Sequence, residues 1–227
     1  MAQAFDAVSL DVGGVLVVPD HGSLANALNQ AGVAYDIKRF GVGHYLAMAA
    51  MDQAASGPEV FTDYLAGFVA AVGVAEADRF VAHDALLAVL CTPLWCQPVA
   101  GSRAGLRALA GAGLRLAVTS NSDGTVADHL RRHEWLQVGD GPGVSVDVVT
   151  DSGTLGVAKP DARVFEATIG ALDLPAGRIL HIGDGVLYDV DGGAAAGMQV
   201  AHMDPFEVCA SSDHRHIRTL GEVLDWL

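Results

Sequence analysis

A short apolar segment near the start of the chain ends in a carboxylate followed by two glycines. Residues 5–10 read Phe-Asp-Ala-Val-Ser-Leu, and Asp11-Val12-Gly13-Gly14 follow directly. This pattern predicts a buried β-strand with Asp11 at its carboxyl end, the edge where open α/β sheets place their ligands. A carboxylate in that place can attack an electrophile and form a covalent intermediate. The segment therefore constrains both the fold and the chemistry of the chain.

The rest of the sequence divides into a helical part and an alternating part. Between residues 19 and 97 the apolar residues recur at helical spacing and never alternate with period two, which predicts an all-helical insertion. From Pro98 onward predicted strands alternate with predicted helices, which indicates a parallel sheet and an α/β fold. The predicted strands are Leu114–Ser120, Val144–Thr150, Arg178–Gly183 and Met198–Ala201. The predicted helices are Ser23–Ala31 with Ser23 as its N-cap, Val42–Gln53, one starting at Pro58-Glu59, 75–90, Ser102–Gly111, Thr125–Glu134, Arg163–Leu172, Val190–Gly197 and Leu220–Trp226.

The charge balance narrows the classes of partner. The chain has 27 acidic and 13 basic residues, a formal net charge of −14, so its surface repels nucleic acid phosphates. No apolar run approaches the roughly 18 residues of a membrane span, and no basic segment precedes an apolar one at the N-terminus. We therefore expect a soluble cytoplasmic protein that binds neither nucleic acid nor membrane. A small anionic substrate would need local positive charge at its site.

Cysteine and lysine usage add two further constraints. Cys91, Cys96 and Cys209 are odd in number and lack C-x-x-C spacing, which favours reduced, buried thiols over disulfides or a zinc site. Lysine occurs only at positions 38 and 159. A lysine at a predicted site is therefore unusual in this chain.

Polar residues stand at or just after the ends of four predicted strands. Besides Asp11, these are Ser120-Asn121, Lys159-Pro160-Asp161, and Gly183-Asp184 with Asp189 five residues on. In a parallel sheet these ends share one edge, so the side chains are expected to converge. Mg²⁺ prefers oxygen ligands, which Asp11 and Asp184 can supply, with Asp189 as a ligand or a support. Lys159 can neutralise remaining charge and Ser120 can hold phosphoryl oxygens.

In this order and spacing the four stretches resemble the motifs of the haloacid dehalogenase superfamily. The resemblance implies a Rossmann-like core formed by residues 1–18 and 98–227, with residues 19–97 as a helical cap. It further implies that Asp11 is the nucleophile, that Ser120 and Asn121 bind phosphate, and that Lys159 stabilises charge. Asp11, Asp184, Asp189 and the backbone carbonyl of Gly13 then hold Mg²⁺. The implied activity is hydrolysis of a small phosphorylated metabolite through an aspartyl-phosphate intermediate.

One position departs from the family pattern, because Gly13 stands where the second aspartate of the first motif belongs. In family phosphatases that aspartate protonates the leaving oxygen and later activates water. General acid–base help of this kind contributes about 10²–10⁴-fold, so its loss slows the reaction without forbidding it. Asp20 and His21, at the junction with the insertion, are candidates to replace it.

Three interpretations of Gly13 remain open. The first is a metal-dependent phosphatase whose acid is supplied elsewhere or is not needed. The second is a haloacid dehalogenase, whose halide leaving group needs no proton; such enzymes carry an aromatic residue at this position and usually lack the Gly-Asp metal motif retained here. A phosphonatase variant would require Lys38 as its Schiff-base lysine. The third is a binding module that kept the fold without catalysis.

Two further predictions concern buried side chains. His181 lies inside a predicted strand and is expected to be a hydrogen-bonded core histidine. An apolar and aromatic set in the insertion is expected to form the insertion's own core rather than a substrate pocket. That set comprises Tyr45, Met48, Met51, Phe61 and Tyr64.

Overall fold

The computed structural model of the chain describes residues 4–54 and 60–227. The strands are β1 (Ala7–Leu10), β2 (Val17–Pro19), β3 (Trp95–Pro98), β4 (Arg115–Ser120), β5 (Leu136–Val138), β6 (Val144–Val146), β7 (Val148–Asp151), β8 (Ile179–Gly183), β9 (Gln199–Met203) and β10 (Arg215–Ile217). The α-helices are α1 (His21–Gln30), α2 (Phe40–Ala54), α3 (Val60–Ala71), α4 (Arg79–Leu87), α5 (Ser102–Gly111), α6 (Val126–Arg132), α7 (Ser152–Leu155), α8 (Ala162–Leu172) and α9 (Gly192–Ala195). Short 3₁₀ helices cover Ile37–Arg39, Glu76–Asp78, Thr92–Leu94, Ala176–Arg178 and Leu220–Trp226, and a π-helical segment covers Val186–Asp191.

Six strands form one central sheet in the order β10-β9-β8-β1-β4-β7, and every neighbouring pair is parallel. The chain runs outward from β1 through β4 to β7, then returns to the other side of β1 through β8. The strand order therefore reverses at β1, whose carboxyl end carries Asp11. In open α/β sheets the crevice at such a reversal is where ligands bind. The α/β fold predicted from the sequence is confirmed.

Apolar packing covers both faces of the sheet and a separate core fills the insertion. One face packs under α5 and α6 through buried residues such as Leu10, Leu106 and Leu130. The opposite face packs under α8 through Phe165 and Leu172. Burying side chains of this size contributes about 1.5–3 kcal/mol each before conformational entropy is subtracted. The sheet is thus held as a rigid platform for the residues at its edge.

The described part of the insertion is built from helices α1 to α4, which enclose their own core around Leu28, Phe40 and Phe68. The chain enters and leaves this unit through an antiparallel pair, β2 with β3. Helix α1 begins at His21 because the Asp20 carboxylate caps it, accepting the Ser23 N–H at 2.8 Å. The predicted N-cap at Ser23 is therefore wrong by three residues.

The structure differs from the predicted elements at several further places. The predicted strand Val144–Thr150 is two strands, since the chain turns at Asp147 and its first half pairs with β5. Strands β2, β3, β5 and β10 have three or four residues each, too few to show an alternation, and the sequence does not predict them; the prediction of an all-helical segment over residues 19–97 is therefore wrong at its two ends, which β2 and β3 enter. Residues Leu220–Trp226 form a 3₁₀ helix rather than an α-helix. The predicted helix start at Pro58-Glu59 lies outside the described residues.

Across residues 4–54 and 60–227, the helices are all too short or too polar to cross a bilayer.

Candidate active site

Lys159 bridges two carboxylates at the carboxyl edge of the sheet. Its Nζ lies 2.9 Å from Oδ1 of Asp11 and 2.6 Å from Oδ1 of Asp189, and the lysine side chain is buried. Burial alone would lower the pKa of the Lys159 ammonium, but the two facing carboxylates outweigh it and raise that pKa. Lys159 is therefore a fixed positive charge at this edge.

The Asp11 carboxylate is shielded from solvent by its surroundings. Burial, together with the neighbouring carboxylates of Asp189 and Asp184, raises the pKa of Asp11 to about 7, although Lys159 pulls it down. The Asp11 backbone N–H donates to the Ile182 carbonyl at 2.8 Å, which fixes the residue at the end of β1. Any added positive charge would favour the ionised form that a nucleophile needs.

Three buried carboxylates form a site suited to a divalent cation. Asp11, Asp184 and Asp189 each offer an oxygen within 4.8 Å of the other two. Together with the Lys159 ammonium, three ionised carboxylates leave two net negative charges in a buried space. Buried like charges repel strongly unless a cation offsets them. An all-oxygen donor set with this residual charge fits Mg²⁺.

Asp189 is held by donors on both of its oxygens. Oδ1 accepts from Lys159 and lies 3.0 Å from Nε2 of His181, and Oδ2 accepts the Gly185 N–H at 3.0 Å. Although burial acts to raise its pKa, Lys159 and His181 lower the pKa of Asp189 well below its usual range. The side chain also packs closely on Gly183, where an added Cβ would lie 2.0 Å from the Asp189 carboxyl carbon. Position 183 therefore requires glycine.

His181 connects this site to a row of buried hydroxyl groups beneath the sheet edge. Its Nδ1 lies 3.0 Å from Oγ of Ser9, which lies 2.8 Å from Oγ1 of Thr119. Thr119 continues to Thr168 at 2.7 Å and Thr168 to Thr150 at 2.8 Å. Burial lowers the pKa of His181, so the imidazole stays neutral and holds Asp189 through Nε2–H. The predicted core histidine is confirmed, and it also positions a site residue.

A histidine of the helical insertion contacts the carboxylate cluster. His44, on α2, places its Nε2 2.7 Å from Oδ2 of Asp184 and its Nδ1 2.9 Å from the hydroxyl of Tyr64. Burial and Asp184 raise the pKa of Tyr64, so it remains a phenol that can donate to His44. His44 then donates its Nε2–H to Asp184, and the insertion and the core meet at this contact.

The two glycines after Asp11 are packed under side chains from other elements. Gly14 has φ +63°, and a Cβ there would lie 2.0 Å from Oδ2 of Asp184, so only glycine is accommodated. Tyr45, also on α2, donates its hydroxyl to the Gly14 carbonyl at 2.8 Å. At Gly13 an added Cβ would lie 3.1 Å from Cζ3 of Trp95, on β3. An aromatic ring thus lies beside the place of the missing second aspartate.

These features agree with what comparison with known proteins shows. The family model described as "Hydrolase: haloacid dehalogenase-like hydrolase" matches residues 5–197. The chain belongs to this family. This haloacid dehalogenase-like hydrolase has a six-stranded parallel core. Its helical insertion lies between β1 and β4, the first two strands of the central sheet in chain order.

The named relatives of this haloacid dehalogenase-like hydrolase include a protein named only for the family and a named dehalogenase. It is 32% identical to haloacid dehalogenase-like hydrolase domain-containing protein 3 of Mus musculus, over 60% of this chain and 53% of that protein. It is 27% identical to (S)-2-haloacid dehalogenase H-109 of Pseudomonas putida, over 59% of this chain and 58% of that protein. The chain thus spans somewhat over half the length of these curated relatives.

A solved structure of similar fold is the HAD-hydrolase YfnB of Bacillus subtilis, bound to magnesium and described as revealing interdomain movement. The TM-score is 0.66 at 18% identity, with 98% of each chain covered. At this level of identity the likeness shows the fold.

The sequence-predicted residues of the hydrolase meet at one edge, with different contacts for each. Ser120 ends β4, and because Leu10 pairs with Val118 it lies one residue beyond the level of Asp11. The Asn121 side chain is engaged with the backbone of Lys159, accepting its N–H at 2.7 Å and donating to its carbonyl at 3.1 Å. Asn121 therefore orients the lysine through its side chain, a contact that the phosphate-binding prediction did not include.

Sequence reasoning missed His44 and Trp95. The helical spacing of α2 predicted its existence, but a period does not show which turn of a helix faces a neighbouring domain. The two residues proposed as replacement acids make other contacts: Asp20 caps α1, and the Nδ1 of His21 lies 3.1 Å from the Gln97 amide. Among the aromatic and apolar residues of the insertion, Tyr45 and Tyr64 lie over the site rather than only in the insertion core.

Proposed function

We propose that this hydrolase is a Mg²⁺-dependent phosphatase acting on a small phosphorylated metabolite through an aspartyl-phosphate on Asp11. The observation that carries the proposal is the Lys159 clamp between Asp11 and Asp189, with Asp184 completing a cluster of three carboxylates. The cluster has the charge and donor atoms for a divalent cation beside a nucleophile. A site for halide displacement alone has no need of such a cation.

The chemistry follows from the side chains at this edge. An oxygen of Asp11 attacks phosphorus, the bond from phosphorus to the leaving oxygen breaks, and that oxygen takes up a proton. Water then attacks the phosphorus, which restores the Asp11 carboxylate and releases phosphate. Lys159, the Ser120 hydroxyl and nearby backbone N–H groups hold the phosphoryl oxygens.

Asp11, Asp184 and Asp189, with the Gly13 carbonyl, are the groups that would hold Mg²⁺. When bound, the ion polarises the phosphoryl oxygens and offsets the repulsion between an anionic substrate and the attacking carboxylate.

His44 is our candidate for the proton donor in place of the carboxylate missing at position 13, a role that requires its Nε2–H to be released from Asp184. Its side chain is buried, belongs to helix α2 of the insertion, and forms a hydrogen bond with the Asp184 carboxylate. If it supplies the leaving-group proton, His44→Gln should lower kcat about 10²-fold for alkyl phosphates, which need protonation. The same variant should change kcat much less for p-nitrophenyl phosphate, whose leaving group is stable as an anion. An equal loss for both substrates would leave His44 only a positioning role through Asp184.

A dehalogenase is the second candidate, and the Trp95 ring beside Gly13 is the observation that favours it. The family resemblance implies that dehalogenases carry an aromatic residue at the position of Gly13. In this chain Trp95, on β3, provides an aromatic ring beside that position. The similarity to a named (S)-2-haloacid dehalogenase points the same way. In that reaction Asp11 would displace halide from carbon, and water would hydrolyse the resulting ester.

A panel of acyl, aryl and alkyl phosphates and 2-haloacids, with Mg²⁺ or with a chelator, separates these functions. We expect phosphate release that requires Mg²⁺ and disappears in Asp11→Asn, while the matched surface variant Asp128→Asn keeps full activity. Halide release that persists in chelator would establish the dehalogenase instead. No turnover, together with failure to bind beryllofluoride and Mg²⁺, would identify a non-catalytic module.

A further inference from the structure

A second group of metal-ligating side chains lies at the opposite end of the sheet from β7. His202 is on β9, His216 is on the edge strand β10, His214 directly precedes β10, and Cys209 lies in the loop between the strands. His202 and His216 are register partners in the parallel pair, so their side chains stand on the same face. One nitrogen or sulfur atom from each of the four residues lies within 4.8 Å of the other three.

The hydrogen bonds around this group indicate where its nitrogen lone pairs and protons lie. Nε2 of His202 donates to the Asp184 carbonyl at 3.1 Å, so its Nδ1 is the unprotonated atom. That Nδ1 lies 3.1 Å from Nε2 of His214, and Sγ of Cys209 lies 3.9 Å from the same Nε2. Nδ1 of His216 faces Oδ2 of Asp204 at 3.5 Å. Nε2 of His216 is buried and has no hydrogen-bond partner among the residues that the structure describes.

Asp204 fixes the loop that carries the thiol. Its two oxygens accept the backbone N–H groups of Val208 and Cys209, each at 2.9 Å, and the residue is almost fully buried. The same carboxylate faces His216. A carboxylate or carbonyl behind a histidine is the usual outer support of a metal-binding imidazole, because it fixes the ring orientation and the protonated nitrogen. Here His216 has a carboxylate behind it and His202 has the Asp184 carbonyl.

We propose that His202, Cys209, His214 and His216 bind one Zn²⁺ ion in a closed four-ligand site. Zinc binds imidazole nitrogen at 2.0–2.1 Å and thiolate sulfur at 2.3 Å, so tetrahedral ligands lie about 3.4–3.6 Å apart. The distances of 3.1 Å between His202 and His214 and 3.9 Å between Cys209 and His214 lie on either side of this range. On binding, the Cys209 thiol releases its proton, and the proton between His202 and His214 moves to the outer nitrogen of His214 or to solvent.

The role of this ion is structural, since four protein ligands leave no position open for a substrate. It would pin the edge strand β10 and the loop after β9 to the sheet. Through His202 it would also steady the backbone of Asp184 in the carboxylate cluster. The site differs in composition from that cluster, because nitrogen and sulfur ligands select zinc whereas carboxylates select magnesium. The spacing of the cysteines disfavoured a zinc site, whereas Cys209, His214 and His216 lie within eight residues of the chain and His202 joins them through the pairing of β9 with β10.

Metal analysis of the tag-free chain tests the proposal directly. The protein is stripped with a chelator and titrated with Zn²⁺ against a competing indicator, and then with Co²⁺ followed by absorption. We expect one Zn²⁺ per chain, tetrahedral d–d bands with Co²⁺, and a thiolate-to-cobalt charge-transfer band. Cys209→Ser should abolish the charge-transfer band, and both Cys209→Ser and His214→Gln should weaken Zn²⁺ binding by at least about 10²-fold, the upper end of the loss on removing only an outer partner.

The controls separate this site from other thiols, other imidazoles and the carboxylate cluster. Cys91→Ser, His133→Gln and Asp11→Asn should each keep one Zn²⁺ per chain, with circular dichroism verifying that every variant is folded. Zinc that is lost in Asp11→Asn but kept in Cys209→Ser would assign the ion to the carboxylate cluster and overturn the proposal. Absence of Zn²⁺ uptake by the stripped wild-type chain, an octahedral Co²⁺ spectrum, or copper in place of zinc in the isolated protein would overturn it equally.

Discussion

At the scale of single residues, the most consequential charge in the molecule is the Lys159 ammonium. It is buried between Asp11 and Asp189, and it faces a region that holds three carboxylates. A buried ion pair adds little net stability when formed, but removing one partner leaves the other charge uncompensated. Lys159 is therefore a requirement of the folded state as well as of the proposed chemistry.

Replacing this lysine should affect both properties. We expect Lys159→Met to lower the free energy of unfolding by about 3–5 kcal/mol, because two buried carboxylates lose their counter-ion. It should also lower kcat/KM by about 10²–10³-fold, the usual loss when one group that stabilises developing charge is removed. Urea unfolding and phosphate release measure the two effects.

The chain offers a matched control for this substitution. Lys38 is the chain's only other lysine and its side chain is exposed on the 3₁₀ helix Ile37–Arg39. Lys38→Met should change the unfolding free energy by less than about 0.5 kcal/mol. Equal unfolding midpoints for the two variants would contradict the buried clamp. A large loss of activity in Lys38→Met would revive the phosphonatase interpretation.

At this scale the sequence predicted the residues that belong to short local patterns and missed those that depend on packing between units. Asp11 and Asp184 directly follow predicted strands, and Lys159 and Asp189 lie in the segments that come after such strands. His44 reaches Asp184 only because α2 presents one particular turn to the core. Its neighbours in sequence give no sign of that orientation.

At the scale of elements, helix α2 is joined to the π-helical segment Val186–Asp191 through one carboxylate. Asp52, near the end of α2, accepts the N–H groups of Val186 and Leu187 at 2.7 and 3.0 Å. N–H groups at the start of a helical segment have no partner within the helix, and here the Asp52 carboxylate accepts them. The contact joins the insertion to the stretch between Asp184 and Asp189, so it is broken if the insertion lifts to admit a substrate.

The burial of Asp52 should make stability depend on pH. Burial raises the pKa of Asp52 to about 7, against the opposing effect of its two N–H donors. The folded protein therefore holds this proton more tightly than the unfolded chain, whose aspartate titrates near 3.9. The contribution to stability is complete below about pH 4 and is lost as the pH rises through about 7.

Asp52→Asn, which cannot ionise, should reduce the fall in urea midpoint between about pH 5 and about pH 8 relative to the wild type. In Asp128→Asn, an exposed substitution on α6, the fall should match the wild type. An unchanged fall in Asp52→Asn would show that Asp52 is ionised throughout this range. Hydrogen exchange of the Val186 and Leu187 amides, expected to be faster in Asp52→Ala, checks the contact independently.

Elements of regular pattern were predictable and irregular ones were not. Strands β1, β4 and β8 are apolar runs flanked by glycine or polar residues, and the structure places them close to their predicted positions. The predicted helix at Val190–Gly197 instead begins with a π-helical turn, closed by the bond from the Val190 N–H to the Gly185 carbonyl at 3.2 Å. That turn accommodates the spacing from Asp184 to Asp189 while both carboxylates face the site, a constraint that helical periodicity does not carry.

At the scale of the whole molecule, the net charge of −14 opposes the approach of the proposed substrate. A phosphorylated metabolite is an anion, and the positive charge of Lys159 is buried where it acts only at short range. Salt shortens the reach of surface charges to about 10 Å at 0.1 M ionic strength. Added salt should therefore raise the rate at which the protein associates with the proposed anionic substrate.

We expect kcat/KM for a phosphomonoester to rise between about 0.02 M and about 0.2 M NaCl, because screening weakens the repulsion during encounter. Sucrose of equal osmolarity should leave kcat/KM unchanged, which separates screening from osmotic effects. Initial rates at substrate concentrations well below KM give the ratio directly. A decrease with salt would mean that a local positive field, rather than the overall charge, controls the encounter.

The Trp95 ring beside Gly13 also limits which substitutions positions 13 and 95 can accept. An aspartate introduced at position 13 would bring its first side-chain carbon to 3.1 Å from the ring before its carboxylate is placed. Shrinking Trp95 alone would leave a void among the aromatic rings of His44 and Tyr64 that pack on it. The two positions are therefore coupled: an aspartate at position 13 requires either that the Trp95 ring shifts by a few tenths of an ångström or that a smaller residue replaces Trp95. A substitution at position 13 is consequently best tested together with one at position 95.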